Sequence, residues 1–221
     1  METTNPNLLM QLITYVSDHS GQLLELTLQH ILMVLCGIGL ALLIGIPLGI
    51  ISARNERWSS IILSIANVIQ VFPSIALLAI LMIVFGLGFY TVVIGLFLYS
   101  LLPIIRNTYV GLTQVDRSIT DAGKGMGMNP VQLLWNVQLP LSIPFLLAGL
   151  RVAAVIAIGV ATMAPLIGGD GLGREIYAGI NLRNPVRIYA GAIPAALLAI
   201  AADIGLGRLQ NKWKVFSRTT G

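Results

Sequence analysis

Runs of about twenty mostly apolar residues, the length that spans the ~30 Å hydrocarbon core of a bilayer, recur along this chain and leave little else. They cover roughly Leu26–Ile51, Ser59–Phe85, Phe89–Val110, Ile143–Ile167 and Ile188–Leu206. In hydrocarbon each backbone N–H and C=O must find a partner inside the protein, and runs of this length do so as helices. The expected fold class is all-α: a polytopic membrane helix bundle with about five transmembrane helices. Composition agrees, since 10% of residues are charged and 56% hydrophobic. A mean hydropathy of +0.87 leaves too little charge to cover a soluble domain. The spans exhaust the chain, so residues 1–221 are read as one transmembrane domain embedded in the lipid bilayer.

The formal charge of +4 does not point to nucleic acid, because the basic residues flank apolar spans and form no patch. Cys36 stands alone in an apolar run, which excludes an intrachain disulfide and suits a small buried hydrophobe. The first twenty residues hold no lysine or arginine and no long apolar core. A cleavable signal peptide is therefore not expected, and the first span serves as its own targeting signal.

Five spans put the termini on opposite sides, and lysine and arginine decide which side is which. With the C-terminal tail inside, Arg54, Arg57, Arg106, Arg117, Lys124, Arg151, Arg208, Lys212, Lys214 and Arg218 lie at or near the cytoplasm, and Arg174, Arg183 and Arg187 outside. Ten against three places the N-terminus outside, with the C-terminus and the long polar loop Asp116–Pro140 in the cytoplasm.

That loop has helix signals of its own. Ser118-x-x-Asp121 has the pattern of a capping box, with a short helix to about Met126 that Gly125 and Gly127 end. Asn129 is a good N-cap, Pro130 suits the first helical position, and a second helix follows from Val131 to about Val137. Pro140 and Pro144 are expected to close it and lead into the fourth span. A helix this short is unstable alone. Its Leu134 and Trp135 must be buried under its own bundle or in a groove of a partner.

Asp121-Ala122-Gly123, three residues, Gly127, nine residues, then Val137-x-Leu139-Pro140 resembles the "EAA" loop of ABC-importer permeases, Glu-Ala-Ala-x3-Gly-x9-Ile-x-Leu-Pro. The spacing matches throughout, with Asp for Glu at 121, Gly for the second Ala at 123 and Val for Ile at 137. The resemblance implies a type I ABC importer permease fold, in which residues 130–137 form a coupling helix docked in a cleft of a cytoplasmic ABC ATPase. Asp121, Gly127 and Pro140 would frame it, with Ala122, Gly123, Asn129, Pro130, Leu134, Trp135 and Leu139 completing the coupling surface.

The segments VFPSIALLAI (71–80), LFLYSLLPIIRNTYVGL (96–112), AGLRVAAVIAIG (148–159), IGGDGLG (167–173) and GAIPAALLAIAAD (191–203) look like permeases for compatible solutes. That likeness runs from about residue 20 to 210. It implies import of glycine betaine, carnitine or choline across a bacterial plasma membrane under osmotic stress. It also implies a second permease copy or paralogue, an extracellular or lipid-anchored solute-binding protein, and no cofactor in this chain, with ATP and Mg bound by the partner ATPase.

The remaining patterns are weaker. A phosphate-cradling loop needs lysine and a hydroxyl after its last glycine, and the nearest run, GKGMGMNP (123–130), lacks both, so the chain is not expected to hydrolyse ATP. The Gly168–Gly173 cluster reads as a flexible external turn before a short helix, Arg174–Ile180. It is either a simple connection or a contact for a solute-binding protein or outer gate. Asp170 and Asp203 do not make an intramembrane aspartyl protease, because the required glycine is Ile167. Asp203 needs a partner in hydrocarbon, with Arg208 or Arg151 as candidates near the cytoplasmic end, as a structural pair or a substrate contact. His19 and His30 lack ligand spacing. Quaternary ammonium groups favour aromatic faces, but Phe72, Phe85, Tyr90, Phe97 and Tyr99 form no evident cage. The translocation path is assigned to Asn67, Gln70, Phe72, Pro73, Ser74 and Tyr99, residues that packing alone could also explain. The rival reading is an ion-coupled secondary transporter, which would show an internal repeat and several mid-membrane ionisable groups.

Overall fold

The computed structural model describes the backbone of residues 6–219 and the side chains of residues 8–213. The described residues form helices α1 (Pro6–Asp18), α2 (Ser20–Arg54), α3 (Glu56–Val71), α4 (Ser74–Phe85), α5 (Phe89–Thr113) and α6 (Arg117–Gly125). They continue through α7 (Pro130–Leu133), a π-helical segment (Leu134–Gln138), α8 (Leu139–Ala161), a 3-10 turn (Ala164–Ile167), α9 (Gly173–Asn181) and α10 (Pro185–Thr219).

Small residues on α2 set the central packing. Gly37 lies against Leu96, Gly45 against Ile104 and Gly49 against Thr108. Each pairing has the same sequence offset, so α2 and α5 run parallel, with their backbones brought close by the absence of a side chain. The pairings of Gly111 with Ser142 and Phe145, and of Gly149 with Pro103 and Asn107, run in opposite order and make α8 antiparallel to α5. Met33, Ile38, Leu96, Ala157 and Ala161 close the core between α2, α5 and α8.

The second apolar run is not one straight span. It divides into α3 and α4, which meet at an angle of 100°. Pro73 is the cause: it has no N–H to continue the helix, and its ring forces the preceding residue out of the helical region. Phe72 and Pro73 are both extended, at φ −61°, ψ 135° and φ −58°, ψ 134°. Because α2 and α5 run the same way, the bent pair between them must return across the bundle. It is thus one broken crossing, which with the four long apolar helices makes five.

A further departure lies at the start of the chain. α1 is a separate amphipathic helix that packs on α10, with Leu9, Met10 and Ile13 exposed. Short apolar content hid it from a search for spans.

Candidate functional site

The polar loop is built from two caps. Asp116, not Ser118, caps α6: its Oδ1 accepts from the Ser118 N–H at 2.8 Å, and that bond holds the Asp116 carboxyl below the usual aspartate range. The capping-box expectation for Ser118 and Asp121 fails because the earlier carboxylate reaches the free N–H groups first. Asp121 instead pairs with Lys124 at 2.9 Å on an exposed face, a contact of little energetic weight. Ala122 is exposed beside it, while Gly123 is buried and lets α6 close on α7. A Cβ at 123 would meet Leu133 at 2.7 Å.

At Gly127 the chain turns with φ +81°, a conformation that costs other residues about 1–2 kcal/mol. Asn129 then opens the next helix with a reciprocal capping box: its Oδ1 accepts from the Gln132 N–H, and Gln132 Oε1 accepts from the Asn129 N–H, both at 2.9 Å.

The helix starting at Pro130 does not stop at Pro140. It passes through the wider π turn of Leu134–Gln138 and runs on to Ala161, a continuous 32 residues. Proline lacks an N–H and crowds the preceding turn; the wider turn gives it room, and Ser142 Oγ takes the Gln138 carbonyl at 2.6 Å. Pro144 likewise sits inside α8. The 131–137 helix is therefore the first part of a transmembrane helix, and Leu139 and Pro140 lie at the join.

This elbow is two-faced. Leu133 and Leu134 are buried beneath it, over a small cavity of about 180 Å³ bounded by Ile50, Ala53 and Leu112. Arg54 Nη2 donates to the Pro130 carbonyl at 3.2 Å, which ties the elbow to the end of α2. On the opposite side, Val131 is 63% and Trp135 64% exposed, one helical turn apart. Of the two alternatives for burial, Leu134 takes the bundle and Trp135 is left for something outside it.

The path residues gather at the broken crossing without forming a cage. Tyr99 is buried and donates its hydroxyl to the Phe72 carbonyl at 2.5 Å, so it holds the break rather than facing an open path. Ser74 Oγ lies 3.3 Å from Met163 Sδ and brings the start of α4 against the end of α8. Asn67, Phe72 and Pro73 are exposed and Gln70 half-buried. Broken backbone at membrane depth is tolerated where it lines a cavity or is buried in protein.

Two further ion pairs join different helices. Asp203 pairs with Arg151, which grips both carboxylate oxygens through Nε and Nη2, the second at 2.6 Å. The pair lies inside both helices, with Arg151 ~18 Å from Leu139 and ~15 Å from Ala161 along α8 at 1.5 Å per residue, and of the two candidates it is Arg151, not Arg208, that partners Asp203. The second cluster was not visible in the sequence. Glu175 accepts from Arg187 at 2.8 and 3.0 Å and from the Tyr15 hydroxyl at 2.7 Å, joining α9, α10 and α1. The only hint was an acid and a base twelve residues apart across a turn.

The glycine cluster at 168–173 is packed, not loose. A Cβ at Gly173 would fall 1.9 Å from the Thr162 carbonyl, and the Gly88 N–H donates to the Ile167 carbonyl at 2.9 Å. The short helix that follows, α9, is as expected. His30 is buried against the Ile158 carbonyl and His19 stacks on Tyr15. Cys36 is only partly buried.

Among the described residues the bundle is all-helical, with four helices long and apolar enough to cross a membrane, a fifth crossing broken in two, and one helix extended into a capped elbow, the build of a multi-pass membrane protein. A family model described as "Binding-protein-dependent transport system inner membrane component" matches residues 45–215, and the chain belongs to that family.

It is 45% identical over 214 residues to the glycine betaine/carnitine/choline transport system permease protein OpuCD of Bacillus subtilis (strain 168), covering 96% of this chain and 93% of the relative. It is 46% identical over 204 residues to the carnitine transport permease protein OpuCD of Listeria monocytogenes serotype 1/2a (strain 10403S), covering 92% of each. The choline transport system permease protein OpuBD of Bacillus subtilis (strain 168) is 43% identical over 206 residues, covering 93% of this chain and 91% of the relative.

Among solved structures, an inward-facing form of the MetNI methionine ABC transporter superposes with a TM-score of 0.78 at 19% identity, covering 86% of this chain and 95% of that one. An amino acid ABC transporter solved with histidines gives 0.64 at 18%, covering 93% and 97%. The chain thus has the fold of ABC importer permeases. It is a transport permease subunit, not an enzyme, and such importers hydrolyse ATP on a separate subunit and receive solute from a binding protein.

Proposed function

We propose that this chain is the permease of an importer for quaternary-ammonium osmoprotectants, the class of glycine betaine, carnitine and choline. Relatives named for these solutes match over nine-tenths or more of the chain, which supports the substrate class. The observation that carries the mechanism is the unbroken helix Pro130–Ala161 with Val131 and Trp135 turned outward. A cytoplasmic ABC ATPase docks on that elbow, with Asp121, Ala122, Gly123, Gly127, Asn129 and Pro130 shaping it and Leu139 and Pro140 at the join. Closure of the ATPases around ATP and Mg moves the elbow, and α8 moves with it because the helix runs on through the π turn.

Ten basic residues at or near the cytoplasm against three outside favour a cytoplasmic loop and C-terminus and an external N-terminus. One five-crossing chain is too small to enclose a path, so a second copy or a paralogue completes it about a twofold axis. The broken crossing, with Asn67, Gln70, Phe72, Pro73 and Ser74, lines that path, and Tyr99 holds its bend. An external or lipid-anchored binding protein delivers the solute.

The test is uptake of radiolabelled glycine betaine, carnitine and choline into vesicles holding the purified complex, its ATPase and its binding protein. Uptake is expected to require ATP and to survive ionophores that collapse ion gradients. Uptake that persists without ATP and stops with the ionophores would overturn the reading in favour of an ion-coupled carrier.

A further inference from the structure

An ion pair inside two transmembrane helices needs a reason to be there, because charge in hydrocarbon is costly and such groups face protein or a water-filled cavity. Arg151 and Asp203 do not face the core of this chain. Each side chain is 39% exposed, and the pair opens into a groove of about 550 Å³ lined by Ala148, Val152, Val155, Ile156 and Gln210. That volume lies within the roughly 300–1,000 Å³ of small-molecule sites.

Val155 and Gly159, four and eight residues on from Arg151, are exposed on the same stripe of α8.

The geometry points to the Arg151–Asp203 pair as a solute station between two membrane-spanning helices, for small zwitterions that carry a carboxylate and a quaternary ammonium. This deepens the proposed function and rests on it. Arg151 spends Nε and Nη2 on Asp203. Its Nη1 lies over Gly207, where even a Cβ would come within 3.3 Å, and is left to donate to a solute carboxylate. The outer lone pairs of Asp203 face the solute cation. A neutral pair meeting a neutral zwitterion adds no net charge to the membrane interior. Choline has no carboxylate, and only the Asp203 half serves it.

The experiment uses the complete importer in vesicles and compares uptake of glycine betaine with uptake of choline. Arg151→Lys keeps the charge and the pairing with Asp203 but removes the planar fork. Its KM for glycine betaine is expected to rise about tenfold, the weight of one hydrogen bond to a charged group, while that for choline changes by less than about twofold. The double variant Arg151→Met with Asp203→Leu removes both charges and leaves none unpaired. It is expected to assemble and to lose betaine uptake more than choline uptake. A purely structural pair gives equal losses for both solutes in both variants, or no loss in either, and either pattern overturns the station. If the unaltered importer takes up neither solute, the proposed function itself falls and the station with it.

Discussion

Trp135→Ala in the assembled importer is expected to weaken ATPase binding about thirtyfold or more, the consequence of losing an aromatic anchor worth at least 2 kcal/mol. ATP-driven uptake falls with it. The expectation follows from which side of the elbow each residue occupies. Trp135 is 64% exposed, so its removal leaves no cavity in this chain and the fold has nothing to lose. Leu134, one residue earlier, is buried beneath the elbow, and Leu134→Ala is a contrast. It costs about 2–5 kcal/mol of stability and is seen as lower yield and earlier melting. Titration of the detergent-purified permease with its ATPase, beside a thermal melt of each variant, separates the two. An unchanged affinity in Trp135→Ala would make Trp135 an anchor at the bilayer surface, where tryptophan is also favoured, and would remove the elbow's outward face from the docking surface.

Glu175→Ala is expected to destabilise the protein by about 3–5 kcal/mol, because breaking a buried pair leaves its partner charge uncompensated. Glu175 is 1% exposed and Arg187 24%. Burial alone would raise the Glu175 carboxyl, but the hydrogen bonds from Arg187 and Tyr15 outweigh it and hold the group below the ordinary glutamate range. A carboxyl whose folded pKa is depressed contributes stability that is complete above its unfolded value. That contribution begins to fade below about pH 4.3 and is lost as pH falls through the folded value. Thermal melts of the wild type should therefore show an acid-side loss of stability that Glu175→Ala lacks. Parallel pH profiles for the two proteins would contradict the assignment. Since Tyr15 donates to the same carboxylate, the variant should also loosen α1 from the bundle.

Much of this organisation was readable in the chain before any coordinates, for identifiable reasons. Bilayer thickness sets the length of a span, so the apolar runs emerge from hydropathy. The elbow emerged because Asn129-Pro130 is a strong start signal and because the spacing from Asp121 to Pro140 is distinctive. What hydropathy cannot see is direction. Ser59–Phe85 reads as one mostly apolar run, and only the backbone restriction at Phe72–Pro73 reveals two helices. Pro140 misled in the opposite sense: proline usually stops a helix, but a π turn absorbs it here and α8 goes on. Asp116 displaced Ser118 as the cap because both can supply an oxygen to the same turn. Arg151 and Asp203 fall inside the apolar runs Ile143–Ile167 and Ile188–Leu206, and their pairing is legible because a charge in hydrocarbon needs a partner. Glu175, Arg187 and Tyr15 come together only through the fold.

The central claim is that power enters this permease at the outward face of the elbow. Val131→Cys in a Cys36→Ala background, on the same exposed face one turn from Trp135, tests it in membranes that hold the whole importer. A short bifunctional thiol reagent is predicted to join position 131 to the ATPase subunit, with a yield that changes when ATP is added. Leu182→Cys, at an exposed position outside the elbow, should give no such product. Equal crosslinking from both positions, or none from position 131 in a complex that still transports, would contradict it.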